Sequence, residues 1–470
     1  MNRSYLYFIC LVSAMGGLLF GYDWVVIGGA KPFYELFFQI ADAPSLQGLA
    51  MSIALVGCMI GACTCGWLAD RIGRRMLLII SAMIFLVSSI LTGAFSSFVP
   101  FLIARFFGGI SIGVASGLSP MYIAEVSPAN IRGKLVSLNQ MTIVIGMLAA
   151  QTTNWLIADD IPSTATAADI AASWNGQMAW RWMFWAAAVP SAVFLLLALF
   201  IPESPRWQAM RGRLQQAMHT LQRIGGTEHA NSELAAIEHA NSQQHREVGL
   251  SQLFTPTFIP VLLLGIFIAV FQQWCGTNVI FNYAQEVFLS AGYAVGDILF
   301  NIVITGIAMV LFTFIAILTI EKLGRRKLML IGASGLCLAY LTLGICYYLH
   351  VTGFFMIVVV VLAIGCYAMT LGPCTWVLLS EIFPTNVRAI AMAVCTFALW
   401  LGSATLTYTF PLLNQSLGSY GTFWLYALIC GCGFLVFLRR LPETKGKSLE
   451  ELEKTLLRQS ESENHLVNNC

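Results

Sequence analysis

The feature that most narrows what this chain can become is a series of apolar runs, each about twenty residues long. In helical form a run of that length rises roughly 30 Å, the thickness of a bilayer's hydrocarbon core. Such runs fall at 6–29, 47–68, 76–96, 100–123, 135–156 and 180–201, and again at 258–283, 297–320, 327–349, 353–379, 389–412 and 419–438. Composition agrees, since of 470 residues 58% are hydrophobic and 10% charged, against roughly a quarter charged in soluble domains. The sequence therefore predicts an all-α membrane protein with twelve transmembrane helices. Its first run is too long and too weakly flanked for a cleaved signal peptide, because only Arg3 precedes it, and is expected to be retained.

Basic residues cluster on alternate loops: Arg71, Arg74 and Arg75; Arg132 and Lys134; Arg206, Arg211 and Arg213; Lys322, Arg325, Arg326 and Lys327; Arg388; Arg439 and Arg440. The opposite loops hold little beyond Lys31 and Arg181, so the positive-inside bias puts both termini in the cytoplasm. A polar insertion divides the chain into an N-terminal six-helix bundle (1–201), a cytoplasmic linker (202–255), a C-terminal six-helix bundle (256–441) and a cytoplasmic tail (442–470). In the linker, Met210, Leu214, Met218, Leu221 and Ile224 recur at helical spacing until Gly225 and Gly226, which predicts a short amphipathic helix on the cytoplasmic face. Ser448 and Glu451 form a capping-box pattern in the tail.

The halves repeat each other. "LADRIGRR" at 68–75 returns as "IEKLGRRK" at 320–327, and "AEVSPANIR" at 124–132 as "SEIFPTNVR" at 380–388. Glu125 matches Glu381 and Arg132 matches Arg388, both at an offset of 256, while "PESPRW" at 202–207 echoes "PETKGK" at 442–447. A repeat in one topology implies two pseudo-symmetric bundles related by an axis along the membrane normal, with a solute site between them near the midplane.

On these motifs, with "GYD" in span 1, "RFFGGISIG" in span 4 and "QQWCGTN" in span 7, the chain resembles a sugar porter of the major facilitator superfamily over nearly its whole length. The resemblance implies the major facilitator fold and a monosaccharide, pentose or hexose, as substrate. It also implies alternating access in a bacterial inner membrane. The family holds proton-coupled bacterial symporters and passive animal facilitators. A passive uniporter is thus the nearest alternative, and a non-transporting sugar sensor, which usually adds a long tail, is a further one. The expected partners are the sugar, a proton and the lipid bilayer, and a monomer suffices.

A sugar offers hydroxyls that donate and accept, and apolar C–H faces, so its pocket needs amides and aromatic planes. Span 7 supplies Gln272, Gln273 and Asn278. On an ideal helix Gln272 and Asn278 point roughly 120° apart, and Gly276 offers the break that lets them converge. The resemblance adds Gln140, Trp376 and Trp400, and Phe20 as a wall, although a buried amide serves equally as helix-to-helix glue. Three positions depart from the family's pattern: Asn282 stands in place of a gating tyrosine, Met309 in place of an asparagine, and Leu399 in place of the glutamine of xylose symporters.

Asp23 is the one acid in the first apolar run. Counted from the outer ends of spans 1 and 4, Asp23 and Arg105 lie at similar depth, roughly 8 to 9 Å down, and Arg105 is the one base read clearly inside a span. They are expected to pair, either to carry a coupling proton or merely to pin two helices. The resemblance favours coupling, since this aspartate marks the symporters, although the acid that some xylose symporters carry in span 6 is missing from "MFWAAAVP". At the inner ends, Asp70, Arg74, Arg75, Glu125 and Arg132, with Glu321, Arg325, Glu381 and Arg388, are expected to form ion pairs that latch the inner face as a cytoplasmic gate.

Other patterns argue against rival classes. "GISIG" at 109–113 matches a hydrolase nucleophile pattern, but its glycines continue as a small-residue face suited to helix packing. The 13 cysteines make no CxxC pair, and of the 6 histidines, His219, His229, His239 and His245 fall in the linker at spacings that share no helix face. The reading is therefore of no enzyme, no metal, no cofactor and no nucleic-acid partner.

Overall fold

The computed structural model describes residues 2–128, 131–162, 165–243, 253, 255, 258–290, 295–383 and 387–445. Among them, eleven helices are long and apolar enough to cross a membrane. In the N-terminal half these are α1 (Arg3–Phe37), α2 (Pro44–Ile72), α3 (Arg74–Ala94), α4 (Phe98–Val126), α5 (Arg132–Ile157) and α6 (Asn175–Ala198). Then follow α7 (Ile259–Asn282), α8 (Val295–Leu323), α9 (Arg325–Tyr348) and α10 (Phe354–Ile382). The last helix, Arg388–Arg440, has 53 residues and would rise about 80 Å if straight, more than twice a hydrocarbon core. Gly418 breaks it at φ 68°, ψ 173°. Gly402 and Gly433, nearly equidistant from that break, both lie against residues 270–274 of α7. The chain therefore doubles back at Gly418 into α11 (388–417) and α12 (419–440), which completes twelve spans.

Small residues let these helices approach closely. Gly21 of α1 lies on the Ile143 backbone of α5, and Gly146 of α5 on the Leu18 backbone. Thr142 and Asn154 then reach across to the carbonyls of Ala14 and Val26 at 2.7 and 3.0 Å. The "GISIG" stretch is mid-α4, with Gly109 and Gly113 against the backbone of Ala54 and Cys58.

The structure corrects three details of the sequence reading. Helix α1 does not stop near Gly29 but continues to Phe37, so Lys31 is not a loop charge: it is 2% exposed and paired with Glu35 one turn on. Arg181 is likewise inside α6, not on a loop, and buried. Arg105 is therefore not the one base within a span. In the linker, the predicted helix starts at Leu214, and Met210 ends a separate short helix, Pro205–Met210. The apolar face of Leu214–Gly225 packs through Ala217 and Leu221 against Ala209 and against Ala230 and Ile237 of Thr227–Gln243. That face is covered by protein.

By contacts the chain forms two compact units, one of Met1–Asp42 with Ile53–Glu247, the other of Ala43–Ser52 with the described residues of Val248–Cys470. The Ser448 and Glu451 pattern lies outside the described residues, as does the side chain of Glu321.

Candidate functional site

In the first unit, Arg105 of α4 donates from Nη1 to Asp23 Oδ1 of α1 at 2.5 Å, with both side chains less than a tenth exposed. The depth count that brought them together started from the wrong end of span 1, because α1 overshoots by two turns. They meet all the same. The guanidinium also lies 5.4 Å from the Phe184 ring of α6, and its Nε has no acceptor among the described residues. A buried cation with one carboxylate and one aromatic face keeps a weaker partner if the carboxylate is neutralised.

Nearer the outer end, Lys31 Nζ contacts both Glu35 oxygens, at 3.0 and 3.1 Å. Arg181 donates to the carbonyls of Gly93 and Phe95, at 2.7 and 2.9 Å, and lies over the rings of Phe37 and Trp180. It thus serves the carbonyl-rich end of α3, where a cation is favourable.

In the middle of the second unit the described polar side chains of α7 include the amides Gln272, Gln273 and Asn278. Gly276 takes φ +88°, which a side chain at this position would strain, and a Cβ there would press on the Tyr426 ring. The break splits α7 and turns its amides towards one another. Asn278 Nδ2 donates to Gln273 Oε1, Gln273 Nε2 to Gln272 Oε1 at 2.5 Å, and Gln272 Nε2 to the Tyr367 hydroxyl of α10 at 2.7 Å. All four groups are buried. Asn282 follows at the end of α7, its Oδ1 buried without a donor among the described residues, while the neighbouring Tyr283 donates to the Thr407 carbonyl at 2.6 Å.

At the helix ends that carry the repeated basic motifs, the described side chains of the two units follow one pattern. Arg74 pairs with Glu125 at 3.0 Å and with Asp70 at 3.0 Å, and Arg325 pairs with Glu381 at 3.0 Å. Arg132 donates to the Ser127 carbonyl closing α4, and Arg388 to the Phe383 carbonyl closing α10. Arg75 reaches the Leu199 carbonyl after α6, and Arg326 the Leu438 carbonyl near the end of α12. Sequence reasoning noticed the PES and PET echo yet gave its acids no role. Glu203 accepts from the backbone N–H groups of Arg74 and Arg75 that open α3, and Glu443 from that of Arg325 that opens α9. Burial pushes the Glu203 carboxyl up from its ordinary value, against the pull of the Ser204, Arg75 and Arg74 amides.

Comparisons with known proteins identify the family. The sugar (and other) transporter family matches residues 9–456. The chain is a sugar porter of the major facilitator superfamily. This sugar porter is 36% identical to the D-xylose-proton symporter of Escherichia coli (strain K12) over 96% of both chains. It is also 36% identical to the arabinose-proton symporter of Bacillus subtilis (strain 168), over 96% of this chain and 95% of that one. Its structure superposes on the inward-open conformation of the xylose transporter XylE from E. coli with a TM-score of 0.83 at 35% identity, covering 96% of this chain and 99% of that one.

The remaining sequence-predicted residues of the sugar porter are placed but not gathered by these bonds. Phe20 sits edge-on to Trp24 at 5.5 Å, Gln140 is half-buried on α5, Trp400 is buried on α11, and Trp376 is 38% exposed on α10. Sequence reasoning missed Tyr367, Phe184 and the Lys31–Glu35 pair. The last had a signal, since the two charges stand four apart and a helix that continued would pair them.

Proposed function

We propose that this sugar porter is a proton-coupled monosaccharide symporter of a bacterial inner membrane, with cytoplasmic termini, that carries a pentose or hexose by alternating access as a monomer. The observation that carries the reading is the buried Arg105–Asp23 contact at 2.5 Å. Protonation neutralises Asp23 and ends the ion pair, and Arg105 falls back on the Phe184 ring 5.4 Å away. That exchange of partners lets α1 and α4 move relative to each other, and the sugar-loaded transition follows. In this reading the hydroxyls of the sugar meet Gln140, Gln272, Gln273 and Asn278, and its C–H faces meet Phe20, Trp376 and Trp400. The named sugar-proton symporters among the relatives support the same assignment.

The inner clusters complete the proposal as a gate: Asp70, Arg74, Arg75, Glu125 and Arg132 in one half, Glu321, Arg325, Glu381 and Arg388 in the other. Held, they steady the inner helix ends; released, they let those ends part.

The test is uptake of labelled xylose, arabinose, galactose and glucose into proteoliposomes, with and without an inward proton gradient. Asp23→Asn is expected to lose gradient-driven accumulation while sugar exchange continues. Unchanged accumulation in Asp23→Asn defeats the coupling role, and a parent protein that equilibrates sugar but never accumulates it is the passive uniporter instead.

A further inference from the structure

The amide chain of the second unit has a direction. Each member donates forward, from Asn278 to Gln273 to Gln272, and the last N–H ends on the Tyr367 hydroxyl. A primary amide offers two N–H donors and one carbonyl oxygen. Here each glutamine oxygen is engaged once by the amide behind it, so each glutamine keeps one N–H and one oxygen lone pair to spare. The Asn278 oxygen accepts from no described residue.

At the far end the chain closes on a tyrosine. Tyr367 lies at the close of the Phe354–Met369 helix, three residues before the kink at Thr370, where φ is −127° and ψ −84°. Its hydroxyl stands 2.7 Å from Gln272 Nε2, and the residue is only 7% exposed. If the amides turned end for end, two oxygens or two N–H groups would face each other at some link, unless all turned together and Tyr367 became a donor. A chain of polarised bonds resists such mixed states, because each bond strengthens the next.

We propose that Tyr367 is a positioning residue for sugar recognition. By accepting from Gln272 it holds the glutamines so that each presents its spare N–H, which reads a sugar oxygen as an acceptor. This deepens, and rests on, the sugar-transport reading. It also names a chemical preference: at the positions that Gln272 and Gln273 face, the site selects a group that accepts.

Replacing a sugar hydroxyl by fluorine keeps a weak acceptor and removes the donor, whereas replacing it by hydrogen removes both. The experiment measures competition by monodeoxy and monodeoxyfluoro analogues of D-xylose and D-glucose against the labelled parent sugars, in the unmodified protein and in Tyr367→Phe. In the unmodified protein at least one position is expected to lose about 5- to 20-fold in affinity on deoxygenation while its fluoro analogue stays within about 3-fold of the parent. In Tyr367→Phe the amides are released from their terminal acceptor, and the deoxy and fluoro analogues converge. A role in packing alone would weaken all analogues together and leave their ratio in place.

Gln272→Glu provides a second route should Tyr367→Phe fold poorly, since an ionised carboxylate cannot donate to Tyr367 or to a fluorine, and it is expected to abolish the fluoro tolerance. An unchanged deoxy-to-fluoro ratio in either folded variant overturns the positioning role while the transport reading stands. Failure of the unmodified protein to take up or bind either parent sugar, or the arabinose and galactose controls, overturns both.

Discussion

At the helix ends that carry the repeated basic motifs, the two halves carry one device twice. Glu125 holds Arg74 while Glu203 accepts from the backbone that opens α3, and Glu381 holds Arg325 while Glu443 accepts from the backbone that opens α9. In mid-membrane they part company, with a buried ion pair, Asp23 and Arg105, in the first half and a neutral run of amides ending on Tyr367 in the second. The ends face the same physical demand, because a tight turn between two spanning helices leaves a helix N-terminus with unmet N–H donors. The middles face no shared demand. Their difference divides the work that the proposed transport needs, charge on one side and hydroxyl recognition on the other.

The hardest way to strain that contrast is to remove Arg105. Arg105→Leu leaves the Asp23 carboxylate buried without its partner, and losing one member of a buried pair costs about 3–5 kcal/mol. Thermal unfolding in detergent is expected to register that loss, and Asp23→Asn combined with Arg105→Leu to recover most of it. Tyr367→Phe in the neutral half should cost only about 1 kcal/mol, as one hydrogen bond between uncharged groups. Equal losses from the two single changes would erase the distinction between a charged and a neutral middle.

How much of this was visible in the sequence follows from what each signal depends on. Hydropathy depends on side-chain composition over a stretch of fixed length and not on packing, so all twelve spans were legible, even where Gly418 is the one non-helical residue in a 53-residue helix. The charge clusters were legible because the same letters return in the second half, Glu125 and Arg132 at one offset and Arg74 and Arg75 at another. Lys31 and Arg181 were misplaced because a lone charge in an apolar run reads as the end of that run. The charge is tolerated in the helix when Glu35 or the Gly93 carbonyl is within reach, and that is a fact of packing. Tyr367 was invisible for a related reason: in "GCYAMTLGP" it looks like any other aromatic, and only the fold brings Gln272 to its hydroxyl.

A finer test asks how alike the inner ends are. Arg74 holds Glu125, whose side chain is 13% exposed. Arg325 has Glu381, which is 24% exposed and also accepts from Thr444 Oγ1 at 2.6 Å. Removing Arg74 strands the better-buried acid, so Arg74→Ala should cost about 2–3 kcal/mol and Arg325→Ala about 1–2, between the exposed and buried limits. Both should also raise labelling of cysteines introduced at the inner helix ends, if the clusters gate that face. A larger loss from Arg325→Ala would reverse the order, and labelling that does not change would remove the gate.

The smallest effect concerns Glu203, where the repeated device meets burial. Its carboxyl titrates above the ordinary 4.5 because burial penalises the charge more than the Ser204, Arg75 and Arg74 amides favour it. The folded chain therefore holds this proton more readily than the unfolded chain. The stability it contributes is whole below the unfolded value and is lost as pH rises through the folded one. Glu203→Gln keeps a carbonyl oxygen for the N–H groups that open α3 but cannot titrate. Near neutral pH the change should therefore shift stability by less than about 1 kcal/mol, the scale of a helix cap. Unfolding of the parent protein, followed across roughly pH 4 to 7, should show a decline with rising pH that is shallower in Glu203→Gln. The same slope in both proteins would mean that another group sets it, and that the acid of the PES motif acts through its oxygens alone.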